Sequence, residues 1–370
     1  MRGTLLVYGP TDPAYLPLLR ALGAHGFRLH ILPNALVEPA RAAGIDADDA
    51  LAVLDAAARA RVREARAALA ARLRGLDVQL QAIFTAGPLA LWDGMREAAS
   101  AALVEAGEQV AVMAAVVDAL AARGQLDGIV LGYDTLPAGR AAVEAGRRLG
   151  VPTVLVPHAV LPRPRVAMPW QGARPFADVV CAPGAFSRAG YLAHGAAPDA
   201  VVPTGCPRWD EYAGLDEAGR RAARATVARA LRLDPAAPLV VFGPSWTERS
   251  TANASQHVPA ALAVYQGVLA ALSAAPGGAQ LVVKLHPGEF MRAARPEDLL
   301  EGYVGLARRA GVARIAVTAG YRADLLRAAD LVVAVNSNLG LEALLCGRAL
   351  VNVPLIPAEA DALFPAGPRV

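Results

Sequence analysis

Short apolar runs alternate with long helical patterns along the whole chain, and this alternation limits the fold more than any other feature. Runs rich in Val, Leu and Ile have the length of strands, and the Ala-, Leu- and Arg-rich stretches between them have helical periodicity. Repeated βα units of this kind predict parallel sheets covered by helices. A chain of 370 residues is too long for one ordinary core, so we expect two such domains.

The predicted strands form two series, separated by a Pro-rich link at 234–238. The first series has strands at Thr4–Tyr8, Arg28–Leu32, Val78–Thr85, Gly128–Leu131, Thr153–Val156, Val179–Ala182 and Val201–Pro203, with helices near 13–25, 47–74, 92–122, 137–149 and 184–194. The second has strands at Leu239–Phe242, Gln280–Leu285, Arg314–Val317, Leu331–Val335 and Ala349–Val353, with helices near 211–232, 258–274, 297–310, 321–328 and 339–346. The predicted fold class is α/β, with two doubly wound Rossmann-like domains, 1–212 and 213–370, and a cleft between them. Because the Pro- and Ala-rich stretch 354–370 has little helical pattern, we expect the second domain to be truncated.

Composition excludes several classes of protein. The net charge is +3 and acidic and basic residues are interleaved, unlike the basic stripe of a nucleic-acid-binding protein. Cys181, Cys206 and Cys346 are too widely spaced for a zinc motif or a disulfide framework, which favours a reducing cytoplasm. No uncharged apolar run reaches the ~18 residues of a membrane span. We therefore expect a cytoplasmic protein, for which the excess of Arg makes the inner face of an anionic membrane a candidate partner.

The strongest local pattern is a strand, a polar turn and a helix at 331–347. The turn residues Asn336, Ser337 and Asn338 are all of types that cap helices well. The N-terminus of the helix that they open would present N–H groups and a positive dipole end to an anion. Glu342 follows in the same helix and is a candidate to accept hydrogen bonds from a ribose diol. The alternative is an ordinary capped helix.

Lys284 is the only lysine in a chain whose other basic residues are all arginine. An ammonium is compact where a guanidinium is broad, so its retention indicates a position that Arg does not fit. Lys284 and His286 lie at the end of an apolar run, and together they suit a pyrophosphate. Ser245 ends another strand and is a weaker candidate for the same ligand. The alternative for Lys284 is a solvated position without function.

Polar residues also follow strands of the first domain. His158 and Asp134 each come after an apolar strand, and each is a candidate general base. Asp134 would serve equally well as a helix cap. Gly205 and Arg208 lie in the turn Thr204–Asp210 at the predicted domain junction, where a structural role is favoured and Gly205 is a candidate ligand contact.

The order of these motifs resembles that of the two-domain GT-B transferases, especially the bacterial surface-polysaccharide group. That group includes capsule glycosyltransferases and CDP-glycerol glycerophosphotransferases, and it is structurally akin to UDP-N-acetylglucosamine 2-epimerases. The matching segments cover roughly residues 125–355 and are Val151–His158, Thr204–Asp210, Phe242–Trp246, Lys284–Pro287 and Ala329–Gly347. Where the family usually has Gln-His-Gly, this chain has Pro157-His158-Ala159.

The resemblance implies an inverting, metal-independent transferase that needs no cofactor. It implies a nucleotide-sugar or CDP-polyol donor in the second domain, with His286 and Ser337 on the phosphates, Glu342 on the ribose and His158 as the base. The acceptor would be a glycan, a lipid-linked molecule or a small hydroxyl compound. Two alternatives are a non-hydrolysing UDP-sugar 2-epimerase or hydrolase, and a non-catalytic partner protein that keeps the fold.

Overall fold

The chain forms two compact α/β units, Met1–Arg208 and Trp209–Val370. Our computed structural model describes residues 3–9, 15–86, 89–157, 174–244, 254–275, 278–286, 295–335 and 337–353. The predicted domain boundary, residue 212, is the last residue of the 3-10 helix Pro207–Tyr212. The division between the two units falls within the same helix, after Arg208.

A parallel sheet of seven strands forms the first unit. Its strand order is β3-β2-β1-β6-β7-β8-β9, and a separate antiparallel pair, β4-β5, lies between two helices in the chain. The strands are β1 Gly3–Tyr8, β2 Phe27–Leu32, β3 Ala47–Asp49, β4 Thr85–Ala86, β5 Leu89–Ala90, β6 Gly128–Leu131, β7 Thr153–Leu155, β8 Val179–Ala182 and β9 Val201–Pro203. The helices are Leu16–Ala24, Val37–Ala42, Ala56–Gly75, Asp77–Ile83, Leu91–Ala122, Pro137–Leu149 and Ala185–Ala193, with 3-10 helices at Asn34–Leu36 and Ala50–Val53.

The second unit has a parallel sheet of five strands in the order β12-β11-β10-β13-β14. The strands are β10 Leu239–Gly243, β11 Gln280–Lys284, β12 Ile315–Thr318, β13 Leu331–Ala334 and β14 Ala349–Asn352. The helices are Glu217–Leu231, Ala254–Ala274, Pro296–Arg309, Arg322–Ala328 and Asn338–Leu345. Both sheets reverse their strand order beside their first strand, which is the doubly wound topology of Rossmann-like domains.

Each sheet is covered by apolar clusters on both faces, as parallel sheets require. Successive strand residues point to opposite faces, so Leu6 packs in one cluster of the first unit while Leu5 and Val7 pack in the other. In the second unit, Val241 lies in one cluster and Phe242 in the other. The predicted α/β class with two Rossmann-like domains is confirmed, whereas the cleft between them stays a prediction.

Two predicted elements of the first unit differ from the structure. The segment predicted as the strand Val78–Thr85 forms the helix Asp77–Ile83 instead. Residues with alternating apolar character form a strand only where a sheet can bury one of their faces. Here no such burial occurs, since Val78 is 80 % exposed. The predicted helix 47–74 begins later. Its first residues form β3 and a 3-10 helix, and the side chain of Asp55 caps the true start by accepting a hydrogen bond from Ala58 N at 2.7 Å. The predicted helix at 92–122, by contrast, is present as one continuous helix, Leu91–Ala122.

An ion-pair network holds the second unit together at the start of its sheet. Arg224 donates to Asp330 Oδ2 at 3.1 Å, to Ala328 O at 2.6 Å and to Ala237 O. Asp330 also pairs with Arg220 and accepts a hydrogen bond from Leu239 N at 2.8 Å. Burial opposes the ionisation of Asp330, but the bond from Leu239 N and the Arg224 guanidinium outweigh it and hold the pKa of this carboxyl below its usual value. The network fastens the helix Glu217–Leu231 to β10 and β13.

We expect Asp330→Asn to destabilise the second unit by about 1 kcal/mol, since water partly screens these ion pairs. A carboxyl group whose pKa is lowered in the folded state stabilises the fold at pH values above its ordinary pKa of about 3.9. This stabilisation is lost as the pH falls through the pKa of the folded state. The difference between wild type and variant in urea unfolding at pH 7 should therefore shrink below about pH 4. Asp298→Asn, which removes an exposed ion pair to Arg295, is the matched control. Equal stability of Asp330→Asn and wild type at pH 7 would contradict the role of this network.

Candidate functional site

The candidate site lies at the carboxyl edge of the five-stranded sheet, where β10 and β13 are neighbours. These strands pair in parallel, with Gly243 opposite Ala334. The chain leaves β10 toward β11 on one side, and it leaves β13 toward β14 on the other. Ligands of doubly wound sheets bind at such a switch point, because the loops after the two strands diverge and leave a crevice.

Gly243 allows the helix Asn338–Leu345 to approach this edge closely. A Cβ atom on Gly243 would lie 2.3 Å from Leu339 Cδ2, inside any real contact distance. Val335 N also donates to Gly243 O at 3.2 Å, so the pairing of the two strands continues to their ends. The absence of a side chain at Gly243 therefore positions the helix N-terminus against the switch point.

Ser337 caps this helix. Its Oγ accepts a hydrogen bond from Leu339 N at 3.3 Å, and Asn338 is the first helical residue. Both residues are partly exposed. This arrangement places a partly exposed hydroxyl, an amide side chain and the positive end of a helix dipole together, as an anion requires. Asn336 and Ser245, which were predicted to join them, lie outside the described residues.

Lys284 ends β11, the strand next to β10. It is only 6 % exposed, and its Nζ donates to Leu285 O at 2.8 Å. Leu285 N in turn donates to Thr318 O of β12 at 2.9 Å. The buried ammonium thus supports the backbone that leads to His286, which is half-buried at the same sheet edge. The predicted tight position of Lys284 agrees with this burial, and its contact with a phosphate stays a prediction.

Tyr321 is a residue at this edge that we did not predict. It follows β12, it is 47 % exposed, and its backbone has φ of +56° in the left-handed region. Non-glycine residues are strained there, and such strain concentrates at binding sites. The signal in the sequence is an aromatic residue beside Gly320 shortly after a strand, whereas the prediction places Tyr321 in a helix.

Glu342 lies in the interior of the second unit rather than at its surface. It is 1 % exposed, its Oε2 accepts a hydrogen bond from Tyr212 at 3.3 Å, and Arg322 Nε lies 3.5 Å from the same oxygen. Arg322 also pairs with Glu211 at 2.9 Å. Burial and the Glu342 carboxylate together raise the pKa of Tyr212. The geometry favours a structural role for Glu342, which joins its helix to the segment Pro207–Tyr212, over the predicted contact with a ribose.

Asp134 is likewise buried in the first unit. It is 4 % exposed, and its Oδ2 accepts hydrogen bonds from Phe176 N at 2.6 Å and Ala177 N at 3.1 Å. Burial and this carboxylate raise the pKa of Tyr191. Asp134 therefore anchors the segment before β8, which favours a structural role over that of a general base. His158, the other predicted base, lies outside the described residues.

Both residues predicted for the junction lie near the division between the units. Gly205 has φ of +83°, and a Cβ atom there would meet no neighbour within 4 Å. Its conformation, rather than close packing, accounts for a glycine at this position. Arg208 lies in the 3-10 helix Pro207–Tyr212, and the ligand role of this turn stays a prediction. Among the described residues, no group of three or more His, Cys, Asp or Glu side chains is arranged to hold a metal ion.

Comparison with known proteins identifies the architecture. Residues 254–353 match the model of a family described as capsule polysaccharide biosynthesis protein. Anabaena HepE, solved in complex with UDP and glucose, superposes with a TM-score of 0.51 at 15 % identity, over 95 % of this chain and 80 % of that chain. UDP-GlcNAc 2-epimerase from Neisseria meningitidis, solved with UDP-GlcNAc, gives 0.54 at 12 % identity, over 94 % and 81 %. The chain has a GT-B-type fold.

Further relatives agree with this identification. A glycosyltransferase from Rickettsia africae superposes on this chain with a TM-score of 0.50 at 10 % identity. The superposition covers 95 % of this chain and 79 % of the Rickettsia chain. No curated protein matches the sequence. At these identities the likeness establishes the fold, and the predicted resemblance to GT-B proteins is confirmed at that level.

The two roles of Glu342 can be separated by Glu342→Gln and Tyr212→Phe. If the carboxylate holds the interior of the unit, both variants should lose about 1–3 kcal/mol of stability, which is a fall of several degrees in the melting temperature. Thermal melts followed by circular dichroism measure this, with exposed Glu301→Gln as the control. Normal melting of Glu342→Gln together with weakened nucleotide binding would instead support the ribose contact.

Proposed function

We propose that the protein is a nucleotide-sugar-dependent glycosyltransferase of surface polysaccharide biosynthesis. The observation that carries the proposal is the capped helix N-terminus at the β10–β13 switch point, held there by the Gly243–Leu339 contact. The match of residues 254–353 to the capsule polysaccharide biosynthesis family supports the biological setting. The similar structures support the donor class, since HepE was solved with UDP-glucose as well as with UDP.

The donor would bind along the carboxyl edge of the second sheet. Ser337, Asn338 and the helix N-terminus would accept the diphosphate, and His286 would donate to it from the end of β11. Tyr321 offers an exposed ring on the far side of β11, where a nucleobase can stack. Lys284 would act indirectly, by holding the backbone next to His286.

The reaction that we propose is an inverting displacement at the anomeric carbon of the donor. A base on the first unit, for which His158 is the candidate, takes the proton of the acceptor hydroxyl as the oxygen attacks. The glycosidic bond to the phosphate breaks, and fixed donors at the helix N-terminus stabilise the departing nucleoside diphosphate. In this scheme these donors supply the charge stabilisation, so turnover should persist in excess EDTA.

A substitution at the cap can separate anion binding from stability. Ser337→Asp keeps an excellent N-cap and adds a negative charge at the helix N-terminus, so the melting temperature should not fall. The same charge should repel a diphosphate and weaken UDP binding about tenfold or more. Isothermal titration with UDP measures the affinity, with Ser337→Thr as the variant that keeps cap and hydroxyl. Unchanged UDP affinity in Ser337→Asp would exclude this helix N-terminus as the phosphate site.

A second candidate function is sugar-nucleotide epimerisation, which is favoured by the likeness to the Neisseria meningitidis epimerase. An epimerase acts on a UDP-sugar alone, whereas a transferase needs an acceptor. Incubation with UDP-GlcNAc in the absence of acceptor, followed by chromatography of the sugar nucleotide, distinguishes the two. Conversion to a second UDP-sugar would overturn the transferase assignment.

The base assignment is tested by His158→Ala. If His158 takes the acceptor proton, transferase turnover should fall by about 10²- to 10⁴-fold while UDP affinity stays unchanged. His194→Gln, at the C-cap of the helix Ala185–Ala193 in the same unit, serves as the control for loss of an imidazole. Unchanged turnover in His158→Ala would remove this residue from catalysis.

A further inference from the structure

Two long helices of the first unit extend past its core. Ala56–Gly75 and Leu91–Ala122 pack together: a Cβ atom on Gly107 would lie 2.2 Å from Leu69 Cδ2, and Arg66 pairs with Glu108 at 2.9 Å. The end of the second helix lies in the core, where Met113, Val116, Val117 and Leu120 have no exposed surface. Between residues 63 and 91, by contrast, no described residue is fully buried. The helix Asp77–Ile83 and the pair β4–β5 connect the helices at this outer end.

The outer end presents apolar side chains to solvent. We call this set the apolar tip; its members are Val78 (80 % exposed), Ile83 (71 %), Leu89 (61 %), Leu91 (49 %), Met95 (37 %) and Phe84 (36 %). They come from the helix Asp77–Ile83, the turn at Phe84, β5 and the start of the helix Leu91–Ala122, rather than from one helix face. Scattered single apolar residues on a surface are ordinary, whereas six exposed large ones within residues 78–95 indicate an interaction surface.

Polar contacts beneath the apolar tip hold it in shape. Trp92 is buried, its ring stacks on Phe84 at 5.7 Å, and its Nε1 donates to Asp77 Oδ1 at 2.7 Å. Arg96 bridges Asp77 and Asp93, at 3.1 and 2.9 Å. Asp77 and Asp93 are thus neutralised beside the tip, whose apolar side chains remain exposed.

The helix that leads to the apolar tip is strongly basic. It contains a single acidic residue, Glu64, against the arginines Arg59, Arg61, Arg63, Arg66, Arg72 and Arg74, all of which are exposed. Arg61, Arg63, Arg72 and Arg74 form no ion pair with any described residue. Arg72 and Arg74 lie in the last turn, directly before the tip. On the neighbouring helix, Glu97 and Glu105 are exposed acids that form no ion pair with a described residue.

We propose that the apolar tip docks on an anionic phospholipid bilayer, with its aliphatic side chains in the interface and Arg72 and Arg74 on the headgroups. Exposed apolar side chains beside uncompensated cations are the combination that such a surface binds. The helix Leu91–Ala122 is long and apolar enough to cross a membrane by length and composition alone. Because its last third is part of the core, only its beginning is available to lipid, and the protein rests on the bilayer rather than spanning it.

The proposal goes beyond the nucleotide-dependent reaction, and it is tested without nucleotide. The full chain is sedimented with vesicles of phosphatidylcholine mixed with phosphatidylglycerol, and with vesicles of phosphatidylcholine alone. We expect binding to the mixed vesicles that weakens with added salt. Ile83→Asp with Leu89→Asp, and separately Arg72→Glu with Arg74→Glu, should each reduce the bound fraction about tenfold.

Matched controls keep the test specific. Leu136→Asp changes an apolar residue of the same unit with 41 % exposure, and Arg221→Glu changes an exposed arginine of the second unit; both should bind like wild type. Circular dichroism melts check the fold, and Ile83→Ser with Leu89→Ser replaces the Asp pair if that pair fails to fold. Failure of wild type to sediment with the anionic vesicles would overturn the proposal, as would tip variants that bind normally. If the wild type does not bind vesicles, and light scattering shows a dimer that only the tip variants dissociate, the apolar tip would instead bind a second copy of the chain.

Discussion

The pairing of β10 with β13 is the constraint on which the second unit depends. It brings together the ends of two strands that are far apart in the chain, and it sends their connections in opposite directions. Gly243 allows the helix Asn338–Leu345 to pack against the ends of these strands, because a larger residue would push the helix away from the sheet edge. The network of Arg224 and Asp330 fastens the opposite, amino-terminal end of the same two strands. One close contact and one ion-pair network thus fix both ends of the strands between which the candidate site lies.

Much of the fold could be predicted because its signals are local. Buried parallel strands appear as apolar runs, and the helices between them have a clear period, so elements such as Gly128–Leu131 and Pro137–Leu149 were predicted with the bounds that the structure has. The segment Val78–Thr85 was predicted wrongly because its residues alternate as in a strand, while the sheet that would bury them is not within reach. Its apolar residues are exposed, and this exposure is the basis of the interaction surface proposed above.

The candidate site was less predictable than the fold, since the partners of its residues come from distant parts of the chain. Glu342 follows a capped turn at a spacing that suits a ligand, and nothing near it in the sequence reveals Tyr212 or Arg322. Asp134 similarly receives its hydrogen bonds from residues more than forty positions away. Ser337 was easier to predict, because an N-cap interacts with the residues that directly follow it.

These differences follow one physical rule. A charged side chain can be kept in the interior only if it is satisfied by hydrogen bonds or opposite charges. Asp134 and Glu342 meet this condition with backbone N–H groups or with Tyr212 and Arg322, and the ammonium of Lys284 is likewise engaged by a backbone carbonyl. Groups committed in this way hold turns in place and have little capacity left for a substrate. The ligand contacts proposed above therefore use the partly exposed residues Ser337, Asn338, His286 and Tyr321.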